Sequence, residues 1–571
     1  MNKKDIFFIS LSAFILCNII LIFNIEKGEV QPWDEGLYAY RAREILKTDK
    51  WWDQVDISLG GLYSATYPPL VPWAIALNMK IFGVNLFSIR LFSVLCSSLL
   101  VFFFIFFFSR CFDYQIVFLL GLNILLSSNW IYYSRQGMTD IPLLLFIISN
   151  IFANVKFLEA TNKKDKLFFG ILISFTFFLS LMTKIVLSFI PIIALLFTLI
   201  YFNKSEFKRA LIFYVIGFVC AFPWYAYMGL KYGWTFLSSL IPPHLFTPVE
   251  GNIKSLGFLY YFNQLIVSNP LIIFAFLYVL LRFKRFTLKT LFITNNYISD
   301  IFFFWFLVGT VIFTLAPTKL PHYTLYLILP GFYLALEYFS IHYDKQPLTE
   351  KFLIFILLLL SVFWYLSPSF RQSIQSFHFN FNPILLTLLI LSLIVTLLIF
   401  FYEKNIKEEK FFTKKSLSIL IYLFTISILV FTIIQFSLKP TGKIFGGEKT
   451  AKFLLQNNIQ SFVYLFHFVN NSDTLNPQLA WYTNGFYFKR SNEKKVFFIP
   501  IPQGKIGLEE TKKLQLFPDK YIVYYSYSNK IQRGIVFENL IQDRKIVLIT
   551  PNYIVFGKIG KKSPLIEEIK I

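Results

Sequence analysis

Charge is scarce in this chain. Asp, Glu, Lys and Arg make up 15% of its 571 residues, where a soluble domain carries about 25%. Cysteine is sparser still. Cys17, Cys96, Cys111 and Cys220 fall in or beside apolar stretches, with no Cys-x-x-Cys pair and no Cys/His cluster among them. A disulfide framework and a zinc ribbon are therefore excluded. Glycine and proline stand at an ordinary 24 each, and neither an internal repeat nor a low-complexity linker is present, so collagen-like and disordered classes are excluded too.

What is present is apolar: 56% hydrophobic and 20% aromatic residues, 72 of them Phe. Such a composition argues against a single soluble globule, and the apolar residues run at membrane length. A helix needs about 20 mostly apolar residues to cross the hydrocarbon core. The sequence predicts thirteen spans, near 6–24, 87–108, 114–132, 139–157, 167–183, 185–202, 210–227, 259–281, 301–316, 323–341, 352–366, 384–402 and 416–437. The first has Lys3 and Lys4 ahead of it, as a signal peptide would, but no small-x-small cleavage site before Asn24-Ile25-Glu26, and it reads as a retained anchor.

Net charge is +22, from 54 Lys+Arg against 32 Asp+Glu. With the N-terminus inside, basic residues concentrate in the inner connections: Lys163, Lys164 and Lys166, then Lys204 to Arg209, Arg282 to Lys289 and Glu403 to Lys415. That is the positive-inside pattern, so most of the excess reads as orientation and no nucleic-acid partner is expected.

Thirteen spans place the C-terminal region outside. From residue 440 onward long apolar runs stop. Short β-like runs (462–468, 521–525, 546–549, 553–556) alternate with helix-like ones (448–455, 508–514). The expectation is a polytopic α-helical membrane protein with a C-terminal soluble α/β domain, divided into a transmembrane domain over 1–439, whose outer loop covers 25–86, and an extracytoplasmic domain over 440–571.

The outer loop is too polar to cross a membrane and too aromatic to be plain loop. It carries Trp33-Asp34-Glu35-Gly36-Leu37-Tyr38, then Trp51-Trp52, then Tyr67-Pro68-Pro69. Tyr38, Ala42, Ile45 and Leu46 share one helical face, Arg43 and Glu44 lie towards the other, and residues 70–82 form a second helix; both suit the membrane interface. Asp34-Glu35 can act as a general base on an acceptor hydroxyl, or serve as an acidic cap and first turn of a helix.

Ionisable residues recur at outer span ends: Arg135 and Asp140, Lys184, Lys319 with His322, and His244. Each alone can be a residue snorkelling at the interface. Together, Arg135, Lys184 and Lys319, with His322, would suit a phosphate. His244 lacks a clustered acid partner and is a poor metal site by itself.

The motifs Trp33-Asp34-Glu35, Tyr67-Pro68-Pro69-Leu70, Phe82-Gly83-Val84-Asn85 with Ser88-Ile89-Arg90-Leu91, Arg135 to Pro142, Thr183-Lys184, Pro223-Trp224-Tyr225, Tyr232-Gly233 and Lys319-Leu320-Pro321-His322-Tyr323 follow one another in order. In that order the sequence resembles the bacterial branch of the GT-C glycosyltransferases, the family of the lipid A aminoarabinose transferases and protein O-mannosyltransferases. The resemblance implies a GT-C fold in the inner membrane and transfer of a sugar from a polyprenyl-phosphate carrier to a glycolipid or protein acceptor at the outer face. It implies Asp34 as catalytic base with Glu35 beside it, and Lys184, Lys319, Arg135, Tyr323 and His322 around the donor phosphate. Asp140 would orient Arg135 or the acceptor, and Arg90 would serve in the same acceptor-side or orienting role.

One departure matters. Relatives acting on lipid A carry an acid and a lysine before the proline pair, the acid belonging to a metal site; here those positions are Thr66 and Tyr67. No cofactor is firmly implied, and a divalent metal at His244 stays open. A lipid-linked oligosaccharide ligase or polymerase would place its key loop late in the chain. A transporter would place its ionisable groups near the midplane of broken helices, often in two similar halves.

Overall fold

The computed structural model describes residues 3–112, 114–190, 193, 204–240, 259–285, 297–316, 319–342, 444–467, 476–484, 486–487, 496–501, 513–514, 516–525 and 544–558. In chain order the helices are α1 (Lys3–Ile22), α2 (Asp34–Thr48), α3 (Leu62–Ala65), α4 (Leu70–Phe82), α5 (Leu86–Phe108), α6 (Tyr114–Leu126), α7 (Ser128–Ser134), α8 (Asp140–Glu159) and α9 (Lys163–Leu181). They continue with α10 (Lys204–Ser239), α11 (Tyr260–Ser268), α12 (Ile273–Arg285), α13 (Tyr297–Leu315) and α14 (Leu325–His342). Then come α15 (Gly447–Gln456), β1 (Phe462–His467), α16 (Pro477–Tyr482), β2 (Val496–Ile501), β3 (Tyr521–Tyr525), β4 (Ile546–Ile549) and β5 (Tyr553–Phe556).

Among the described residues five helices are each long and apolar enough to cross a membrane: α1 from Lys4, α5, α8, α10 from Glu206, and α13. A sixth span arises if α6 and α7, bent by 60° at their junction, count as one. The expected span at 259–281 is two helices, because Pro270 has no N–H to continue the ladder. Asn269 ends α11 there and donates its side-chain amide to the Asn123 carbonyl at 3.0 Å. In α10 the helical path breaks at Gly233 (φ 60°), the glycine of the Tyr232-Gly233 motif. Spans expected at 352–366, 384–402 and 416–437, and most of 185–202, lie outside the described residues. So does the helix expected at 508–514, apart from a turn at 513–514.

The chain divides into two compact units, residues 1–25, 90–241 and 256–440 in one, and 26–89, 242–255 and 441–571 in the other. This division differs from the expected boundary at 439, since it takes the outer loop out of the helical domain and joins it to the C-terminal region.

In the helical unit, buried polar side chains tie helices to one another. Asn150 donates to the Ile173 carbonyl and to Thr176 Oγ1, both at 2.9 Å, and accepts from the Tyr214 hydroxyl at 2.5 Å, joining α8, α9 and α10. Trp130 Nε1 and the Ser134 hydroxyl both reach Ser97 Oγ, at 2.8 and 2.9 Å. Lipid gives apolar surface little reason to leave it, so contacts like these, worth about 0.6 kcal/mol each, help to set helix pairing.

Among its described residues the second unit holds a five-stranded sheet in the order β2-β1-β3-β5-β4. The first three strands are parallel and the last two pair antiparallel. Side chains alternate: Phe462, Tyr464, Val523, Tyr525 and Val555 bury on one face, and Val463, Leu465, Ile522, Tyr524 and Ile554 on the other. Helices α15 and α16 cover the first face through Ala451, Leu454 and Leu479. Strand β2, absent from the sequence expectation, contains Pro500; it survives because it is the edge strand, where a missing N–H breaks no central ladder.

The outer loop is built into this unit. Helix α2 is buried from Glu35 to Ile45, including the Arg43 and Glu44 expected on a more polar face. Arg41 donates to Gln54 Oε1 (2.5 Å) and to the Ser64 and Tyr67 carbonyls (2.9 Å each), and burial pulls its pKa down to about 10. Helix α4 has the expected bounds and leaves Leu77, Ile81 and Phe82 exposed.

Candidate active site

In the helical unit a carboxylate, an ammonium, a phenol and an imidazole converge. Asp140 is the first residue of α8, and its side chain is 2% exposed. Its Oδ1 lies 3.3 Å from Lys184 Nζ and accepts from the Tyr326 hydroxyl at 2.9 Å. Lys184 follows the C-terminus of α9, where its N–H still bonds to the Ser180 carbonyl, so the helix end fixes the root of the side chain. The 3₁₀ turn Pro321–Thr324 that leads into α14 brings His322 within electrostatic reach of the same carboxylate. The His322 ring also meets Tyr133 edge to face at 5.7 Å. Lys184 keeps 22% of its side chain exposed beside a buried anion that orients it. A partly exposed cation held by a buried acid can take an anionic ligand.

Lys319 is placed differently. Its ammonium donates to the carbonyls of Phe313 (3.1 Å), Thr314 and Ala316 (2.9 Å), closing the C-terminal end of α13. An ammonium has three donors, and each has a carbonyl here. The amine also sits 5.7 Å from the centre of the Tyr261 ring. The Tyr261 hydroxyl accepts from the Leu320 N–H at 3.0 Å and so pins the turn. Burial lowers the lysine's pKa. Tyr323 is buried and stacks on Phe313 at 5.1 Å.

Arg135 and Arg90 meet at the carbonyl end of α1. Arg135 donates to Ile20 and Phe23 (3.2 and 2.7 Å), and Arg90 to Ile25 (2.7 Å). Both are buried, and Arg135 feels the charge of Arg90. The negative end of the α1 dipole and its leftover carbonyls favour cations there.

In the second unit Asp34 and Glu35 open α2. The N-cap position is Trp33, and no side chain caps that end, so Asp34 is a first-turn acid and not a cap. Glu35 is fully buried and accepts the Gln31 N–H at 2.8 Å, holding the turn that leads into the helix. Asp34 keeps part of its surface exposed. Of the pair, Asp34 is the more exposed carboxylate.

Among the described residues, the positions weighed for a metal hold no ligand cluster. Thr66, the position for which the resemblance leads one to expect an acid, is buried and ends α3 through its N–H to the Leu62 carbonyl (3.0 Å). Tyr67 packs edge to face on Tyr38 at 6.2 Å. No group of three or more His, Cys, Asp or Glu able to hold a metal exists among the described residues. His244 lies outside the described residues.

Two contributors had no place in the sequence expectation. Tyr326 shares the Asp140 carboxylate, and its signal was its spacing of three from Tyr323, on one helical face. Glu29 looked like an ordinary loop acid; the Gly446-Gly447 pair beyond the last apolar run was the sign that a backbone approaches something closely there.

Comparisons with known proteins agree with this framework. Residues 66–227 match the family described as dolichyl-phosphate-mannose-protein mannosyltransferase. No curated protein matches. Among solved structures, ArnT from Cupriavidus metallidurans bound to undecaprenyl phosphate superposes with a TM-score of 0.64 at 14% identity, covering 97% of this chain and 99% of that one. The same protein in its apo state gives 0.62 at 15% identity, covering 96% and 97%. The chain is thus a polytopic helical membrane protein with the ArnT fold, and it carries a segment similar to the protein mannosyltransferases.

Proposed function

We propose that this chain is an inverting glycosyltransferase of the cytoplasmic (inner) membrane. It takes a sugar from a polyprenyl-phosphate carrier and gives it to a glycolipid, such as lipopolysaccharide, or to a protein at the outer face. The thirteen spans read from the sequence put the Asp34 loop and residues 440–571 on that side. One observation carries the reading: Asp140 and Lys184, the buried acid and the cation it aims, both fall within the segment similar to transferases that use a polyprenyl-phosphate sugar.

In the reaction an acceptor hydroxyl attacks the anomeric carbon from the face opposite the phosphate. The bond from that carbon to the phosphate oxygen breaks with inversion, as in inverting glycosidases with an acceptor in place of water. Asp34 takes the hydroxyl proton as general base. The carrier phosphate leaves with the bonding electrons, and a lipid phosphate needs no general acid to do so. Lys184, held by Asp140 and Tyr326 with His322 nearby, stabilises its growing charge. Arg135, Arg90 and Lys319 bind backbone carbonyls and so hold turns of the helical unit, and Tyr323 packs on Phe313. Residues 440–571 carry 19 Lys+Arg against 10 Asp+Glu, which favours an acidic acceptor or the anionic membrane surface.

The test is mass spectrometry of envelope glycolipids and glycoproteins from cells with the gene product, without it, and with Asp34→Asn. The expected result is a glycosylated species that requires the protein and vanishes with Asp34→Asn, while the purified variant still binds undecaprenyl phosphate. Normal product from Asp34→Asn would overturn the base assignment.

A further inference from the structure

Glu29 lies five residues before Asp34 and is 5% exposed. Its carboxylate accepts backbone N–H bonds from Phe445 (2.8 Å), Gly446 (2.9 Å), Gly447 (3.3 Å) and Glu448 (3.2 Å), the residues that open α15. A fifth donor is the Gln478 side-chain amide at 3.0 Å. An anion at a helix N-terminus is matched to the free N–H groups and to the dipole. The chain there must be glycine. Gly446 has φ +87°, and a Cβ on Gly447 would come 2.2 Å from Gln478 Oε1.

The hold extends along the segment towards Asp34. Val30 donates its N–H to the Tyr482 hydroxyl (3.1 Å) and accepts from Gln478 (2.8 Å). The Trp33 ring packs edge to face on Tyr525 of β3 at 6.1 Å, against the core under the sheet. After Asp34, a Cβ on Gly36 would meet Pro477 at 2.8 Å, and Arg43 donates to the Trp481 carbonyl at 2.8 Å. The C-terminal α/β fold therefore grips the backbone on both sides of Asp34.

We infer that Glu29 is a positioning residue for the transfer reaction: it locks the loop that carries Asp34 to the N-terminus of α15, so that the C-terminal domain sets where the base stands. The inference rests on the reading of Asp34 as general base. A geometry held this way matters because a displacement of about 1 Å can lower a rate by about a hundredfold. Burial raises the Glu29 pKa against the lowering effect of its four backbone donors, as expected for a carboxylate enclosed in a closed network.

The experiment compares full-length wild type, Glu29→Gln, Glu29→Asp and Asp34→Asn. Three quantities are read: the amount of glycosylated envelope product per protein, the affinity of the purified protein for undecaprenyl phosphate, and hydrogen exchange of the amides at 31–37. Glu29→Gln replaces an acceptor oxygen with an amide that opposes the N–H groups. Expected are a product loss of about ten- to a hundredfold, unchanged undecaprenyl phosphate affinity, faster exchange at 31–37, and partial recovery with Glu29→Asp. Unchanged product, or unchanged exchange at 31–37, overturns the inference. If Glu29→Gln does not accumulate, Tyr482→Phe decides, since it removes only the hydroxyl that accepts the Val30 N–H. A severalfold product loss with faster exchange supports the lock, and neither change refutes it. The two readings fail separately: product from Asp34→Asn sinks the base, whereas product from Glu29→Gln with none from Asp34→Asn sinks only the lock.

Discussion

Asp140 Oδ1 and Lys184 Nζ lie 3.3 Å apart, 44 residues apart in sequence, with the acid almost wholly buried and the amine partly open. The asymmetry gives the pair a direction: the acid is fixed and the cation is presented. Removing one partner leaves the other charge poorly compensated, so single variants cost more than the pair is worth. Asp140→Asn and Lys184→Met should each weaken undecaprenyl phosphate binding, and the double variant should lose less than the sum. The coupling expected for groups in contact is about 1–3 kcal/mol. Additive losses in a binding titration would mean that the two residues act independently.

Tyr326 donates to the same Asp140 oxygen at 2.9 Å and is fully buried. A hydrogen bond to a charged group is worth about 1.5–3 kcal/mol. Tyr326→Phe keeps the ring and deletes that bond, so it should weaken undecaprenyl phosphate affinity by about tenfold, through a less firmly held Lys184. In an Asp140→Asn background the same substitution should have a smaller effect. An equal effect in both backgrounds would place Tyr326 outside this network.

Lys319 and Lys184 separate by what they touch. Lys319 spends its donors on the Phe313, Thr314 and Ala316 carbonyls, while Lys184 stands beside a carboxylate with its amine partly open. Lys319→Ala removes the ammonium from three carbonyls at the end of α13, one of them in a buried bond, a cost of about 1–3 kcal/mol in stability. It should lower the thermal midpoint of the purified protein, whereas Lys184→Ala should lower donor affinity with little change in midpoint. The reverse pattern would make Lys319 the principal phosphate cation.

Four membrane-length helices, α1, α5, α8 and α13, were legible because apolar length is a one-dimensional property, and they stand within a few residues of where the sequence put them. Breaks inside spans were not. The 60° bend between α6 and α7 and the split at Pro270 depend on which neighbour satisfies the freed backbone, as Asn123 and Asn269 do. In the candidate site, Asp34, Asp140 and Lys184 could be read from residue type and position. Glu29 and Gln478 could not, since their partners lie more than 400 residues away in the chain and no local pattern announces the pairing. The burial of α2 escaped because its buried arginines find their partners through the folding of the outer loop and, for Arg43, from 438 residues away. Its Arg43 looks like part of a polar face until Trp481 is brought to it, and Arg41 finds Gln54 and Tyr67.

Two buried phenols of the second unit predict its behaviour in alkali. Burial, helped by the nearby Glu44 charge, pushes Tyr40 up to about 12, and burial pushes Tyr487 to about 12. Each folded phenol holds its proton more tightly than it does in the unfolded chain, where tyrosine ionises at about 10. The stability tied to the neutral phenols is therefore intact below pH about 10 and is lost as pH rises through about 12, because only the unfolded chain releases those protons in that window. Unfolding followed by circular dichroism at increasing pH should show this decline, coincident with tyrosinate absorbance. Tyr40→Phe cannot titrate, so its decline should be shallower over the same window. A profile identical to wild type would show that the Tyr40 ring does not stay buried and protonated there, and would weaken the case that α2, with Asp34 at its head, is held rigidly in the second unit.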